Sequence, residues 1–127
     1  MNILDENVPE DQRSLLQTRG IPIRQIGFDV GRKGMKDEAI MPFLHGLRDT
    51  TFFTRDLGFY DRKLSHPRYC LVCLAAGKDE VAVFVRRVLR HPELETKAKR
   101  MGAVVRVSHA GFSIWRQNAR KQIYINW

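Results

Sequence analysis

Residues 68–75 have the sequence RYCLVCLA, which carries no charged residue after Arg68. A strand with one face in water alternates apolar and polar residues, whereas this run is continuously apolar. Such runs are typical of strands that are buried on both faces, as the strands of parallel sheets are. The segment therefore predicts an inner strand of a mainly parallel sheet.

Helix-like and strand-like segments alternate in the chain before this strand. Pro9, followed by two acids, begins a first helix with Leu15 and Leu16 on its inner face. A second helix begins at Lys36 or Asp37, because apolar residues recur from there at helical spacing. The strands that these helices separate are predicted at residues 3–4, 21–26 and 50–54.

After the central strand, the chain changes from helices to short strands. Helices predicted at residues 81–89 and 94–101 are followed by strand-like runs at 103–107, 112–116 and 122–126. The connectors between these last runs are short enough for hairpins. The whole pattern predicts an α/β fold, a three-layer sandwich with a central, mainly parallel sheet and a small C-terminal antiparallel β-meander.

Length and composition are those of one globular domain over residues 1–127, with 43% hydrophobic and 28% charged residues. No apolar run is long enough for a membrane span, and the first residues lack a basic stretch followed by an apolar segment. We therefore expect a cytoplasmic protein with no membrane partner. Cys70 and Cys73 lie three positions apart on a strand and face opposite ways, so we interpret them as reduced core cysteines.

The net charge of +8 is concentrated in the last third of the chain. Basic and acidic residues are equal in number over residues 1–80, whereas ten basic residues face two acidic ones over residues 81–127. This asymmetry indicates a polyanion or an acidic protein partner, although a solvated basic surface would give the same pattern. Charge alone does not choose between RNA, DNA and protein.

Several basic and aromatic residues of the predicted meander are candidates for contacts with nucleic acid. We expect the basic side chains to follow an RNA backbone and the aromatic rings to stack on bases or to pack on the core. The candidates are Arg106, Arg116, Arg120, Lys121 and Trp115, with Phe112 as a further aromatic residue.

Three acids are predicted at one edge of the sheet. Asp5 follows the first strand, Asp56 follows the third, and Asp37 begins the helix that precedes the third strand. The carboxyl ends of parallel strands meet at one edge, where open α/β sheets bind their ligands. Clustered carboxylates repel unless a cation joins them, and oxygen ligands select Mg²⁺ or Mn²⁺, which support phosphodiester hydrolysis. A helix cap at Asp37 and a turn at Asp56 are the structural alternatives.

Three short motifs occur in a characteristic order within roughly residues 1–75: ILDENVP at 3–9, GMKDEAI at 34–40 and TRDLGF at 54–59. Together they resemble the compact PIN-like nucleases related to VapC toxins. The resemblance implies a PIN-like fold, Mg²⁺ or Mn²⁺ as cofactor, and cleavage of single-stranded RNA with Asp5, Asp37 and Asp56 as catalytic and metal-binding residues. It also implies a cognate antitoxin that blocks the site, and a homodimer is compatible with it.

The sequence also departs from the family pattern. Full-size PIN domains have an extra helix with a glutamate that this chain has no room for, and Gly58 stands where compact relatives often have a second acid. Glu6, Glu38 or Asp61 could complete the ligand set. We therefore predict a metal-dependent endoribonuclease, the toxin of a toxin–antitoxin pair, in one PIN-like domain with an acid-site core at 1–80 and a basic helix plus meander at 81–127. The alternative is a non-catalytic nucleic-acid-binding or protein-interaction module on a degenerate PIN-like fold.

Overall fold

The computed structural model describes all 127 residues, Met1 to Trp127. Its strands are β1 (Asn2–Leu4), β2 (Arg24–Gln25), β3 (Thr50–Thr54), β4 (Tyr69–Leu74), β5 (Ala103–Val107), β6 (Gly111–Arg116) and β7 (Ile123–Asn126). They form a single sheet in the order β2-β1-β3-β4-β5-β6-β7. The first five strands are parallel, and β6 and β7 are antiparallel. The mainly parallel sheet and the C-terminal meander are thus confirmed, and the meander extends the parallel sheet.

Helices cover both faces of this sheet. They are α1 (Glu10–Thr18), α2 (Asp37–His45), α3 (Val81–Arg90) and α4 (Lys97–Arg100). Buried residues of α1 and α3 join one apolar core on one face, and those of α2 join a second core on the opposite face. The chain therefore forms three layers, as expected. None of the four helices has the length and apolar character needed to span a membrane.

The central strand β4 has the two-sided burial that its sequence predicts. All six of its residues are buried, and they alternate between the two apolar cores. Cys70 packs into the core beneath α1 and α3, while Cys73 packs into the core beneath α2. Both cysteines are free, and burial raises the pKa of each thiol to about 12. Their interpretation as reduced core residues is confirmed.

The structure differs from the predicted elements in three places. The second strand is restricted to Arg24–Gln25, because Pro22 lacks an amide hydrogen and Gly27 turns the chain with a φ of +86°. On α1, Leu16 is buried but Leu15 is 48% exposed, since Gln12 and Leu16 occupy the inner face. The helix predicted at 94–101 contains only Lys97–Arg100, because the Thr96 side chain caps it by accepting from the Lys99 amide.

Candidate functional site

A cleft of about 280 Å³ lies at the carboxyl ends of β1 and β3, beside the first turn of α2. All three acids predicted from the sequence, Asp5, Asp37 and Asp56, line it. The parallel pairing of β1 with β3 explains this convergence. Leu4 is paired with Phe53, so both strands end at the same edge of the sheet. The other lining residues are Glu6, Asn7, Val8, Met35, Ile40 and Arg55.

A single hydroxyl joins two of the acids. Thr54, the last residue of β3, donates from Oγ1 to Asp5 Oδ2 at 2.6 Å and accepts from the Asp56 amide at 3.0 Å. Asp5 Oδ1 also accepts from the Glu6 amide at 2.8 Å, and Asp56 Oδ1 accepts from the Gly58 amide at 2.8 Å. Asp56 therefore does begin a turn, as one alternative held. Both carboxylates are therefore fixed in place by donors of their own chain.

Asp37 lies in the first turn of α2, where a negative charge interacts favourably with the helix dipole. The cap position of α2 is Lys36, and no side chain caps this helix end, so the interpretation of Asp37 as an N-cap is wrong. Although the side chain is largely exposed, desolvation of its carboxyl raises the pKa of Asp37 above its ordinary value. A hydrogen bond with the Asp56 side chain and the negative charges of Asp56, Asp5 and Glu38 raise it further. The three acids thus interact electrostatically, as clustering predicts.

The three additional acids proposed as ligands lie in different surroundings. Glu6 lines the cleft, but its Oε1 accepts from the Gly34 amide at 2.7 Å and holds the loop before α2. Glu38 lines a neighbouring depression together with Asp37. Asp61 caps a short 3₁₀ turn by accepting from the Lys63 amide at 2.9 Å and does not line the cleft. Of the three, only Glu6 belongs to the cleft wall.

Two residues that sequence reasoning did not single out support the cleft. The buried Gln25 donates from Nε2 to the carbonyls of Asp5, Glu6 and Val8 at 3.1, 3.2 and 2.8 Å. It therefore fixes the turn that presents Asp5. Arg55, the basic residue of the cleft wall, donates from Nε to the Ala76 carbonyl at 3.0 Å. The sequence signal that could have indicated them is their position. Arg55 directly follows β3, and Gln25 is paired with Leu4, the last residue of β1.

The donor chemistry of the cleft fits a hard divalent cation, but the ligands are not assembled. Carboxylate oxygens are the ligands that Mg²⁺ and Mn²⁺ prefer. No group of three or more His, Cys, Asp or Glu side chains has an arrangement that could hold a metal ion. Mg²⁺ commonly uses only one or two protein carboxylates and takes its remaining oxygens from water and substrate phosphates. The carboxylates of Asp5 and Asp56, with Asp37 hydrogen-bonded to Asp56, have the oxygen chemistry of that type of site.

The basic residues predicted to bind RNA do not form one track. Arg106 projects from β5 on the α2 side, near Tyr60. Burial raises the pKa of Tyr60, and the positive charge of Arg106 partly offsets this increase. Arg116 is paired with Ala103, the first residue of β5, because β6 is antiparallel. It therefore lies at the amino end of β5 and on the face that α1 and α3 cover. Its guanidinium donates to the Lys99 carbonyl at 2.7 Å. The expectation that these basic side chains follow one RNA backbone is therefore wrong.

The remaining members of the predicted RNA surface are separated from the cleft as well. Arg120 and Lys121 are exposed in the turn between β6 and β7, near the amino edge of the sheet. Trp115 is half-buried on the α2 side, and the guanidinium of Arg62 lies 5.0 Å from its ring centroid. Phe112 is buried in the core, as its packing interpretation required.

The cleft geometry must therefore be interpreted from this chain alone. No family model, no curated protein and no solved structure matches the sequence or the fold.

Proposed function

We propose that this protein is a metal-dependent endoribonuclease of the PIN-like type that cleaves RNA in the acid cleft. One observation carries the proposal: three carboxylates from three separate segments converge on the ligand-binding edge of a parallel sheet. The carboxyl of Asp37 accepts no cap hydrogen bond of α2 and makes no ion pair with a basic side chain, so it is free to take part in metal binding.

The raised pKa of Asp37 supports the binding of a cation. Desolvation, a hydrogen bond with Asp56 and the negative charges of Asp56, Asp5 and Glu38 raise this pKa, so the clustered carboxylates disfavour one another's charge. A divalent cation would neutralise this charge, with Asp5, Asp37 and Asp56 as its ligands. When bound, Mg²⁺ or Mn²⁺ supplies Lewis-acid stabilisation of phosphoryl charge and activation of water.

The chain's own residues would then position the substrate. Thr54 keeps the Asp5 carboxylate and the Asp56 backbone in register, and Gln25 keeps the preceding turn in place. Arg55 lines the cleft with Nε committed to Ala76, which leaves its two Nη groups free to donate to a substrate phosphate. The three acids of the cleft thus repel a phosphate unless a cation is bound, whereas Arg55 attracts the phosphate.

The toxin role belongs to the proposal through the sequence resemblance. In that case a cognate antitoxin covers the cleft in the cytoplasm, and its removal exposes the acids to RNA. Growth arrest on expression of the wild-type chain, absent for the Asp37→Asn chain, is the expected result. Arrest by both chains would contradict a toxin role that depends on the cleft.

A non-catalytic nucleic-acid-binding or protein-interaction module remains the second candidate. The observation that favours it is the absence of a group of three preassembled metal-binding side chains. Asp5 and Asp56 are also already engaged by amides and a hydroxyl of their own chain. A module of this kind would bind its partner equally well with and without divalent cations.

The test is cleavage of a labelled single-stranded RNA of mixed sequence with Mg²⁺, with Mn²⁺ and with a chelator. We expect cleavage that requires the metal and that falls by at least about a hundredfold in Asp5→Asn, Asp37→Asn and Asp56→Asn, since even the loss of groups behind a metal ligand costs roughly 10–100-fold. Asp79→Asn, which neutralises an exposed acid outside the cleft, is the matched control. Cleavage that persists in the chelator, or in all three cleft variants, would overturn the nuclease proposal.

A further inference from the structure

A second concave surface lies on the face of the sheet that α1 and α3 cover. It is an open groove of about 570 Å³ along the outer side of α3, which we call the arginine groove. Its walls are Val83, Arg86, Arg87, Arg90, His91, Pro92 and Trp127. Val83 is 49% exposed although its α3 neighbours Ala82 and Phe84 are buried, so the groove presents an apolar floor to solvent.

The groove is strongly basic. Arg86, Arg87 and Arg90 are joined at one side by Arg19 of the α1 end, which lines an adjoining depression with Arg86. None of these four guanidinium groups makes an ion pair or a side-chain hydrogen bond, and the Nε of Arg86 is buried without any partner. Desolvation and the charges of Arg19 and Arg90 lower the pKa of Arg86.

Few negative charges compensate this cluster. Glu80 is the carboxylate close enough for Arg87 to lower its pKa, and Glu80 is already paired with His109 at 2.6 Å. Unpaired arginines that repel one another favour a ligand with several negative charges.

One wall of the groove is a fixed aromatic face. The indole of Trp127 donates from Nε1 to the Ser108 carbonyl at 2.7 Å and packs on Phe112 with ring centroids 5.2 Å apart. Trp127 as a whole is 37% exposed. The guanidinium of Arg87 lies 5.1 Å from the Phe84 ring and 5.5 Å from the Trp127 ring, which holds it at the groove. A planar stacking surface therefore stands directly beside several anion-binding groups.

From this arrangement we infer that the arginine groove binds a single strand of nucleic acid, with phosphates on Arg86, Arg87 and Arg90 and a base stacked on Trp127. Arginine forks match phosphate oxygens, and base stacking on an aromatic ring is independent of sequence. An acidic peptide would satisfy the charges but would leave the flat indole face without a planar partner. The groove is distinct from the acid cleft, because α3 lies on the other face of the sheet from α2.

The test is the affinity of a fluorescent ten-nucleotide oligouridylate over a salt series, in the presence of a chelator. Each phosphate contact with a single strand contributes roughly 0.7 to the slope of log affinity against log salt concentration. We expect the Arg87→Gln, Arg90→Gln double variant to lose about twice that amount and the Trp127→Leu variant to bind at least about fivefold more weakly at every salt concentration.

The matched control is an Arg24→Gln, Arg48→Gln double variant, which removes the same charge from exposed positions outside the groove. Unchanged slopes in the groove variant, or equal losses in groove and control variants, would overturn the inference. Displacement of the oligonucleotide by a polyglutamate peptide at equal charge concentration, with no effect of Trp127→Leu, would also overturn it and identify an acidic peptide instead. Because the chelator removes the divalent cation that the acid cleft requires, this result does not depend on the nuclease proposal.

Discussion

The acid cleft and the arginine groove each gather like charges on one small sheet, but they hold them differently. In the cleft, Asp5 and Asp56 are tied to backbone amides and to the Thr54 hydroxyl at 2.6 to 3.0 Å. In the groove, no hydrogen bond restrains a guanidinium of Arg86, Arg87 or Arg90, and the one ordered wall is aromatic. The acids are thus held by hydrogen bonds before any ligand arrives, whereas the arginines make none, and Arg87 is held by its aromatic neighbours alone.

This difference indicates ligands of different size. Fixed carboxylates around 280 Å³ suit a compact cation with a phosphate, because preorganised ligands lose little entropy on binding. Arginines spaced along an open groove of about 570 Å³ suit an extended polyanion whose charges are spaced along a chain. The predictions below test whether the cleft depends on its fixed geometry and the groove on its charge.

The largest effect is expected from Gln25→Leu, which removes the amide that holds the turn carrying Asp5. The carbonyls of Asp5, Glu6 and Val8 lose a donor, and the Val8 hydrogen bond is buried. The free energy of unfolding should therefore fall by about 2–3 kcal/mol. Urea unfolding measures this change. Gln17→Leu, at an exposed position of α1, is the control and should stay within about 0.5 kcal/mol of wild type. Equal effects at the two positions would show that Gln25 does not support the turn.

A smaller effect on stability, but a specific one on metal binding, is expected from Thr54→Val. The valine keeps the shape of the side chain but removes the hydroxyl shared by Asp5 and Asp56, at a cost of about 1 kcal/mol. Because the Asp5 carboxylate loses its orienting donor, Mn²⁺ affinity should fall roughly 10–100-fold. Calorimetric titration with Mn²⁺ gives this number. Thr50→Val, at the other end of β3, should change stability without changing Mn²⁺ affinity, and a loss of affinity in both variants would refute the role of Thr54.

A still smaller effect, of opposite sign, is expected from Asp37→Asn in the absence of metal. The folded state raises the pKa of this carboxyl, so it binds more protons than the unfolded state once the pH exceeds about 4. Wild-type stability therefore falls relative to Asp37→Asn as pH rises through the window between the two pKa values, and the difference persists to neutral pH. Below pH 4 the gain should vanish.

Because the side chain is exposed, solvent screening keeps the gain below about 1 kcal/mol. Urea unfolding of both proteins from pH 3 to 7 provides the measurement, with Asp79→Asn as the control. A gain that is the same at every pH would mean that Asp37 does not interact with the other acids.

The smallest effect is expected in the groove, from Arg90→Gln. Removing one of several mutually repelling guanidinium groups should raise the melting temperature slightly at low salt, by no more than about 2 °C. In about 1 M salt the Debye length is about 3 Å, so the difference should disappear. Melting curves of both proteins at two salt concentrations decide the point. A decrease at low salt would show that Arg90 is not part of a repelling cluster.

The sequence predicted the layout of the sheet because hydrophobic patterning depends on local composition. The burial of β4 was predicted correctly from its continuous apolar run, and the position of β3 was predicted correctly from its β-branched and aromatic residues. The convergence of Asp5, Asp37 and Asp56 followed from the same reasoning, since parallel strands bring their carboxyl ends to one edge. Local pattern and global topology agree in this half of the chain.

Other features depend on tertiary contacts that no local pattern encodes. Gln25 serves the cleft only because β2 pairs with β1, and a two-residue strand leaves little trace in the sequence. The separation of Arg106 from Arg116 depends on side-chain alternation across an antiparallel pair, which assigns the two to opposite faces. The arginine groove requires Trp127 to pack against α3, a contact between segments that are distant in the sequence.

The central claim, that the acid cleft binds a divalent cation, is tested most directly by the melting temperature with added Mn²⁺. A ligand that binds only the folded state stabilises it by about 2.7 kcal/mol at a hundred times its dissociation constant. We predict that Mn²⁺ raises the melting temperature of wild type and of Asp61→Asn, whose side chain lies outside the cleft wall, but not that of Asp5→Asn. An equal rise in Asp5→Asn, or no rise in wild type at millimolar Mn²⁺, would contradict the account.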